Sequence, residues 1–240
     1  MPVQNIDKNS FYLVINSDYK YLGQRLTGLG FKVLFLEANI CLAEPVAKHT
    51  DMQFITLKGK TFVLPESNSF IEFLINNNLE FTYTSKAYPE YPKDVLCNAK
   101  LIGDKLFCNT KTIDKSILAE ANIIGLNVIH VNQGYTGCST LKVNDNSVIT
   151  SDKSIYEAAL KNNVEALLIS EGFIKLEGYN HGFIGGCSGN IKNKIIIFSG
   201  SLESHPDKNK IREFIKQRNL SIIEFDFELT DIGGIGIIEI

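Results

Sequence analysis

The sequence lacks the features that mark several classes of protein. No apolar stretch approaches the roughly 18 residues of a membrane span; the longest, KIIIFSGSL, is strand-sized. There is no long block of one charge, and the net charge is only −3, so neither nucleic acid nor membrane is expected as a partner. The N-terminal MPVQNIDKNS is polar and leads into a short FYLVI, which resembles neither a signal nor a transit peptide. The cysteines, Cys41, Cys97, Cys108, Cys138 and Cys187, are odd in number and form no CxxC. They read as reduced thiols of a cytoplasmic protein, not as a disulfide framework or zinc site. With no HxH or HExxH either, no metal is expected. The glycine-rich GYNHGFIGGCSGN opens no βαβ unit and is followed by no Walker-type lysine, so no nucleotide cofactor is expected, nor any other. What remains, 44% hydrophobic and 21% charged residues, is ordinary globular composition.

What the sequence does contain is repetition. Five segments share one plan: apolar strand, polar helix start, amphipathic helix, break, second strand. They begin at FYLVINSDYK, TFVLPESNSF, LFCNTKTIDK, SVITSDKSIY and IIIFSGSLES. Candidate N-caps are Ser17 or Asp18, Ser67 or Asn68, Thr112, Ser151, and Ser204 with Pro206 just inside. Helix ends are expected at Gly30, Asn78, Gly125, Asn163 and Asn219, residue types that tolerate a left-handed C-terminal position.

Between these segments a second element recurs, a loop leading into a hairpin. Its turns fall at Lys58-Gly59, Gly103-Asp104, Asp145-Asn146 and Lys192-Asn193. The fifth copy, LTDIGGIGIIEI, has one arm only, and its missing arm is FYLVIN at the other end of the chain. An open α/β sheet would show the same alternation. The half-hairpin at each end favours a ring closed by the N- and C-terminal strands, which leaves no sheet edge unpaired. The fold class expected is therefore α/β: a single domain, 1–240, forming a five-bladed, pseudo-fivefold α/β propeller of ββαβ units. The repeats fall near 11–57, 58–98, 99–143, 144–190 and 191–240.

Such a ring resembles the pentein fold of the guanidino-group-modifying enzymes: arginine and agmatine deiminases, dimethylarginine dimethylaminohydrolase and the amidinotransferases. Two stretches carry the resemblance at motif level. HTDMQF, from His49 to Phe54, is similar to that family's His-x-Asp segment, and GYTGCSTL, from Gly134 to Leu141, to its glycine-rich approach to a nucleophilic cysteine. The resemblance implies cysteine attack on a guanidinium carbon, a thiouronium intermediate, proton transfer by histidine, and carboxylates holding the cation. The family's cysteine lies near the C-terminus, where this chain has DIGGIGIIEI, and the matching position falls beside Ile237. A rotated arrangement restores the pair, since His49 and Cys138 lie two units apart, as the family's histidine and cysteine do.

The expected catalytic residues are Cys138 as nucleophile, its backbone opened by Gly137, and His49 as acid/base. Read as strand neighbours, His49 and Asp51 share a face. Asp51, Asp94, Asp231, Tyr135, His181 and Cys187 are the candidate ligand-binding residues. Cys138 takes the slot filled by Asp51, Asp94 and Asp231 in other units, and a small buried residue is the alternative reading of it. His130 is expected in the core and His205 at an exposed helix start. Two functions stay open: a hydrolase of a small guanidino or amidino compound, acting on a non-peptide C–N bond, or a noncatalytic ring used for binding. The partner expected is a small, cationic molecule; homo-oligomerisation is left open.

Overall fold

Two parallel strands can be joined only through a crossover, and a helix is the usual one. The chain supplies one helix for each such pair. The computed structural model describes residues 6–240. Strand β1 (Phe11–Asn16), helix α1 (Lys20–Gly28) and β2 (Lys32–Leu36) form the first crossover. A one-turn helix, α2 (Thr50–Gln53), then runs into β3 (Phe54–Leu57), which begins a β3–β4–α3–β5 unit with β4 at Lys60–Val63, α3 at Asn68–Asn76 and β5 at Phe81–Tyr83. The next unit has β6 (Lys100–Ile102), β7 (Lys105–Cys108), α4 (Lys115–Ile123) and β8 (Asn127–His130). A second one-turn helix, α5 (Thr136–Ser139), leads into β9 (Thr140–Asn144), β10 (Ser147–Thr150), α6 (Lys153–Lys161) and β11 (Glu165–Leu168). Last come β12 (Ser188–Ile191), β13 (Ile195–Phe198), α7 (Lys208–Lys216), β14 (Ser221–Ile223) and β15 (Gly236–Glu239).

These strands form five three-stranded sheets, each with one antiparallel and one parallel pairing, and four are built from consecutive strands. The fifth joins the two ends of the chain. β15 pairs antiparallel with β1, Phe11 opposite Glu239 and Val14 opposite Gly236, while β1 pairs parallel with β2. The single-armed hairpin at the C-terminus is thus completed by the N-terminal strand.

The core has the same cyclic arrangement. Five apolar clusters each lie between one sheet and the next. Leu57, Phe62 and Met52 pack with Leu106, Cys108 and Ile117; Ile102 and Phe107 with Val148 and Ile155; Leu141 and Ile149 with Phe198 and Ile211. Ile195 and Ile197 meet Phe11, Leu13 and Leu22, and Val14, Leu36 and Ile238 meet Phe54, Phe70 and Leu74. The last junction returns to the first sheet, so no sheet is left with an unpacked flank. One strand from each sheet, β3, β6, β9, β12 and β15, lines one axial cavity of about 240 Å³.

The helix ends fall where the sequence places them: Gly30, Asn78, Gly125, Asn163 and Asn219 all have positive φ. The starts are less regular. Ser67 is a cap position as expected, but the others shift to Tyr19, Asp114, Asp152 and Asp207. Asp114 and Asp152 accept backbone N–H bonds from Ser116 and Ile155, and a carboxylate at a helix N-terminus also gains from the helix dipole. His130 and His205 exchange their expected places. His130 is exposed at the end of β8, with Nδ1 against Thr110 Oγ1. His205 is closed to solvent, its Nδ1 accepting the Asp207 N–H.

Candidate active site

The two one-turn helices set the site. Each runs directly into the first strand of its sheet, so the chain positions correspond from the strand backwards: Gln53 with Ser139, Met52 with Cys138, Asp51 with Gly137, His49 with Tyr135. The slot expected to align Cys138 with Asp51 is therefore one residue out. The shared face expected for His49 and Asp51 also fails, because the backbone turns from extended at His49 into α2 before Asp51, and the two residues line different cavities.

His49 and Tyr135, just ahead of these turns, both line a cavity of about 260 Å³. Met52, Cys138, His181, Phe183 and Asp231 complete its working wall, and the exposed Tyr179 and Asn180 stand at its rim. Five of the eight sequence candidates meet here: His49, Cys138, Tyr135, His181 and Asp231. Asp94 stands one layer behind, its Oδ2 accepting the Tyr135 hydroxyl at 2.6 Å. Cys187 is fully buried off the cavity, its thiol directed at the Ile184 carbonyl. Asp51 lines the axial cavity instead, with both carboxyl oxygens buried.

Asp231 is the cavity's anionic group. Its Oδ1 accepts the Gly233 N–H at 2.9 Å and its Oδ2 the Phe183 N–H at 2.8 Å. Two glycines make this approach possible: a Cβ on Gly186 would stand 2.0 Å from Asp231 Oδ1, and one on Gly233 2.3 Å from the His49 Cβ. The glycine-rich runs read in the sequence thus bind an anion with backbone N–H groups, and the anion is the protein's own carboxylate. His49 Nδ1 lies 3.9 Å from Asp231 Oδ1. Burial holds the imidazole below its ordinary pKa, against the pull of Asp231. Burial likewise raises the Asp231 carboxyl, with His49 and its two N–H donors opposing.

Cys138 is held by a residue that sequence reasoning missed. Asn98 Nδ2 lies 3.0 Å from the Cys138 sulfur and 3.1 Å from the Asp51 carbonyl, while Asn98 Oδ1 accepts the Gly137 N–H at 2.6 Å. One amide therefore ties α2 to α5. Burial, then the charges of Asp51 and Asp231, push the thiol well above its ordinary pKa. The cavity wall continues in aromatic rings: Tyr135 lies 5.8 Å from Tyr91 and 6.4 Å from Phe183, centroid to centroid. Among the described residues, no group of three or more His, Cys, Asp or Glu is placed to hold a metal, and no helix is long and apolar enough to cross a membrane.

Five mixed three-stranded sheets, each packed on the next around an axis, define a pentein fold, and solved structures match over most of the chain. Dimethylarginine dimethylaminohydrolase from Pseudomonas aeruginosa, a cysteine-to-serine mutant complexed with citrulline, superposes with a TM-score of 0.60 at 10% identity, covering 95% of this chain and 98% of its own. The N-terminal domain of a substrate-bound cyanobacterial arginine dihydrolase, ArgZ, gives 0.60 at 10%, covering 94% and 95%. The amidinotransferase SxtG of Microseira wollei gives 0.55 at 8%, covering 92% and 78%. In sequence, the chain belongs to the family DUF6873, a family of unknown function, which it matches over residues 14–236. No curated protein matches it.

Proposed function

We propose that this protein is a cysteine-dependent hydrolase of a small guanidino or amidino compound. One observation carries the reading: Cys138, His49 and Asp231, from three different units, line the same cavity. A neutral histidine is available to accept a proton, and a fixed carboxylate is available to hold a cation. The cation enters with its charge on Asp231. His49 takes the thiol proton, and Cys138 sulfur attacks the amidino carbon. The carbon–nitrogen bond breaks as His49 returns the proton to the departing amine, leaving an S-linked thiouronium. Water then adds with loss of a proton to His49, the carbon–sulfur bond breaks, and the regenerated thiolate recovers that proton. A bound cation also offsets the Asp231 charge that helps keep the thiol protonated at rest, which ties ionisation to substrate binding.

The test is selective labelling. Chloroacetamidine at neutral pH is expected to alkylate Cys138 ahead of the other four cysteines, and Cys138→Ser is expected to abolish that labelling. Uniform reaction of all five, or reaction only after unfolding, would overturn the assignment.

A second reading, a noncatalytic binding protein, is favoured by DIGGIGIIEI, which has no cysteine where the resembling enzymes carry their nucleophile. On that reading guanidino compounds bind, Asp231→Asn weakens them, and Cys138→Ser changes nothing.

A further inference from the structure

Asp51 is the least explained group in the molecule. Its carboxyl is enclosed where α2 meets α5, and neither oxygen has a hydrogen-bond partner among the described residues. An ionised carboxylate without water or donors carries a large desolvation cost, and buried charges are as a rule paired or hydrogen-bonded. The neighbours do not supply the missing partners. Asp231 faces it from the segment before β15 with charge of the same sign. Lys100, on β6, faces it with the opposite sign, but no ion pair joins them among the described residues, and burial lowers the lysine's own pKa. Lys142, on β9, is engaged by Asp145. The group against the carboxyl is the Cys138 thiol, near enough to affect its proton affinity although the two are not in hydrogen-bond geometry at rest.

We propose that Asp51 is held as a neutral carboxylic acid whose O–H donates to the Cys138 sulfur once the thiol has lost its proton, making a thiolate tenable in this enclosed position. It rests on the reading of Cys138 as nucleophile and gives Asp51 a positioning role in place of contact with the ligand. The geometry supports it from both sides. The Cys138 sulfur already has one donor in Asn98, and the Asp51 proton supplies a second where no backbone N–H reaches. Asn98 also bonds the Asp51 main-chain carbonyl, so a single side chain links the Asp51 backbone to the sulfur. Proton count is conserved. The resting pair, thiol and acid, gives one proton to His49, and the remaining proton stays between oxygen and sulfur throughout the step. The direction of the Asp51 shift, upward to about 8 through burial first and Asp231 second, agrees with a neutral acid near neutrality. A buried carboxyl that stays protonated so that it can donate is an established catalytic device in other folds.

Two measurements test this. Infrared difference spectra of the intact protein at neutral pH are expected to show the carbonyl stretch of a protonated, water-free carboxylic acid, lost in Asp51→Asn. Its absence from the native protein would overturn the proposal, whatever Cys138 does. Second, alkylation of Cys138 by iodoacetamide, a neutral reagent, is followed against pH by peptide mass spectrometry. Asp51→Ala is expected to raise the apparent pKa of the reaction and slow it at least about tenfold near pH 8, because less of the thiol is ionised there. Asp51→Asn, which can still donate an N–H, is expected to fall between. If Asp51 is instead an ionised load on the thiol, Asp51→Ala lowers the apparent pKa and speeds the reaction, and the proposal fails. A Cys138 that reacts with iodoacetamide but not with chloroacetamidine would count against the hydrolase reading alone.

Discussion

His49 and Asp231 come from opposite ends of the chain and face each other across 3.9 Å, the imidazole Nδ1 toward a carboxylate that two backbone N–H groups hold from behind. The contact exists because the ring closes, and it makes several properties of the protein measurable.

The first concerns Asp231 itself. Asp231→Asn leaves one of the two N–H donors facing an amide NH2, so one buried bond becomes a clash of donors. A loss of about 2 kcal/mol in urea unfolding is expected. Guanidino compounds should bind at least about tenfold more weakly, as loss of a charge-assisted bond of about 1.5–3 kcal/mol implies; calorimetric titration reads it.

Gly233 provides a sharper test of packing. Its φ is +81°, and an added Cβ would meet both the backbone and side chain of His49. Gly233→Ala combines a disfavoured conformation with displacement of a cavity residue. It is expected to destabilise by about 2–4 kcal/mol, visible as a lower Tm, and to shift the His49 resonances in NMR spectra.

Asn98 joins two units through bonds from both ends of its amide. Asn98→Ala leaves the Gly137 N–H and the Asp51 carbonyl unpaired, at an expected cost of about 2–4 kcal/mol, and releases the Cys138 sulfur from its donor. Asn98→Asp keeps the acceptor for Gly137 but places another negative charge beside the thiol. It is expected to slow Cys138 alkylation even where the fold survives.

His205 gives a pH signature independent of the cavity. Its Nδ1 accepts the Asp207 N–H, which requires a neutral ring, and its Nε2 has no partner. Burial lowers its pKa, with Asp207 and the Ser170 backbone opposing. The folded state therefore binds fewer protons than the unfolded chain between the lowered pKa and the ordinary value of 6.5, and stability falls as pH drops through that window. His205→Asn keeps an acceptor for Asp207 and removes the titration, so it should flatten this limb of the stability–pH curve by up to about 1 kcal/mol.

Ring closure predicts tolerance of a new opening. The Ile240 N–H donates to the Ser10 carbonyl, so the paired strands are neighbours to their ends. A permutant with the old ends joined by a short Gly-Ser linker, opened in the exposed loop between Glu171 and Gly172, is expected to keep the fold with a loss of no more than about 2 kcal/mol. An unfolded product would contradict the closed arrangement.

Much of this architecture was legible because its local signals are unambiguous. Gly30, Asn78, Gly125, Asn163 and Asn219 mark helix ends through a conformation few other residues adopt, and the unmatched hairpin arm of LTDIGGIGIIEI pointed to FYLVIN as its partner. Helix starts were less readable, since Thr112 and Asp114, or Ser151 and Asp152, are competing caps a residue or two apart. In the site, five of the eight candidate residues meet at one cavity, but the local backbone around His49 and Asp51 is not the strand expected. TDMQ is only four residues long and carries no helical period, so His49 and Asp51 read as strand neighbours when a helical turn sends them to different cavities. Asn98 had no signal at all: an amide in a loop looks like any other until the two turns it joins are seen side by side.

The strand that β1 needs for its antiparallel edge, β15, is translated after every other described strand. Until residues 236–239 emerge, β1 keeps an open edge, and Asp231 arrives only shortly before. A fragment that stops before residue 231 lacks Asp231 in the cavity and leaves β1 without its antiparallel neighbour. Loss of a few C-terminal residues would have the same effect on the mature molecule, uncovering a pairing edge and dismantling the site in a single event.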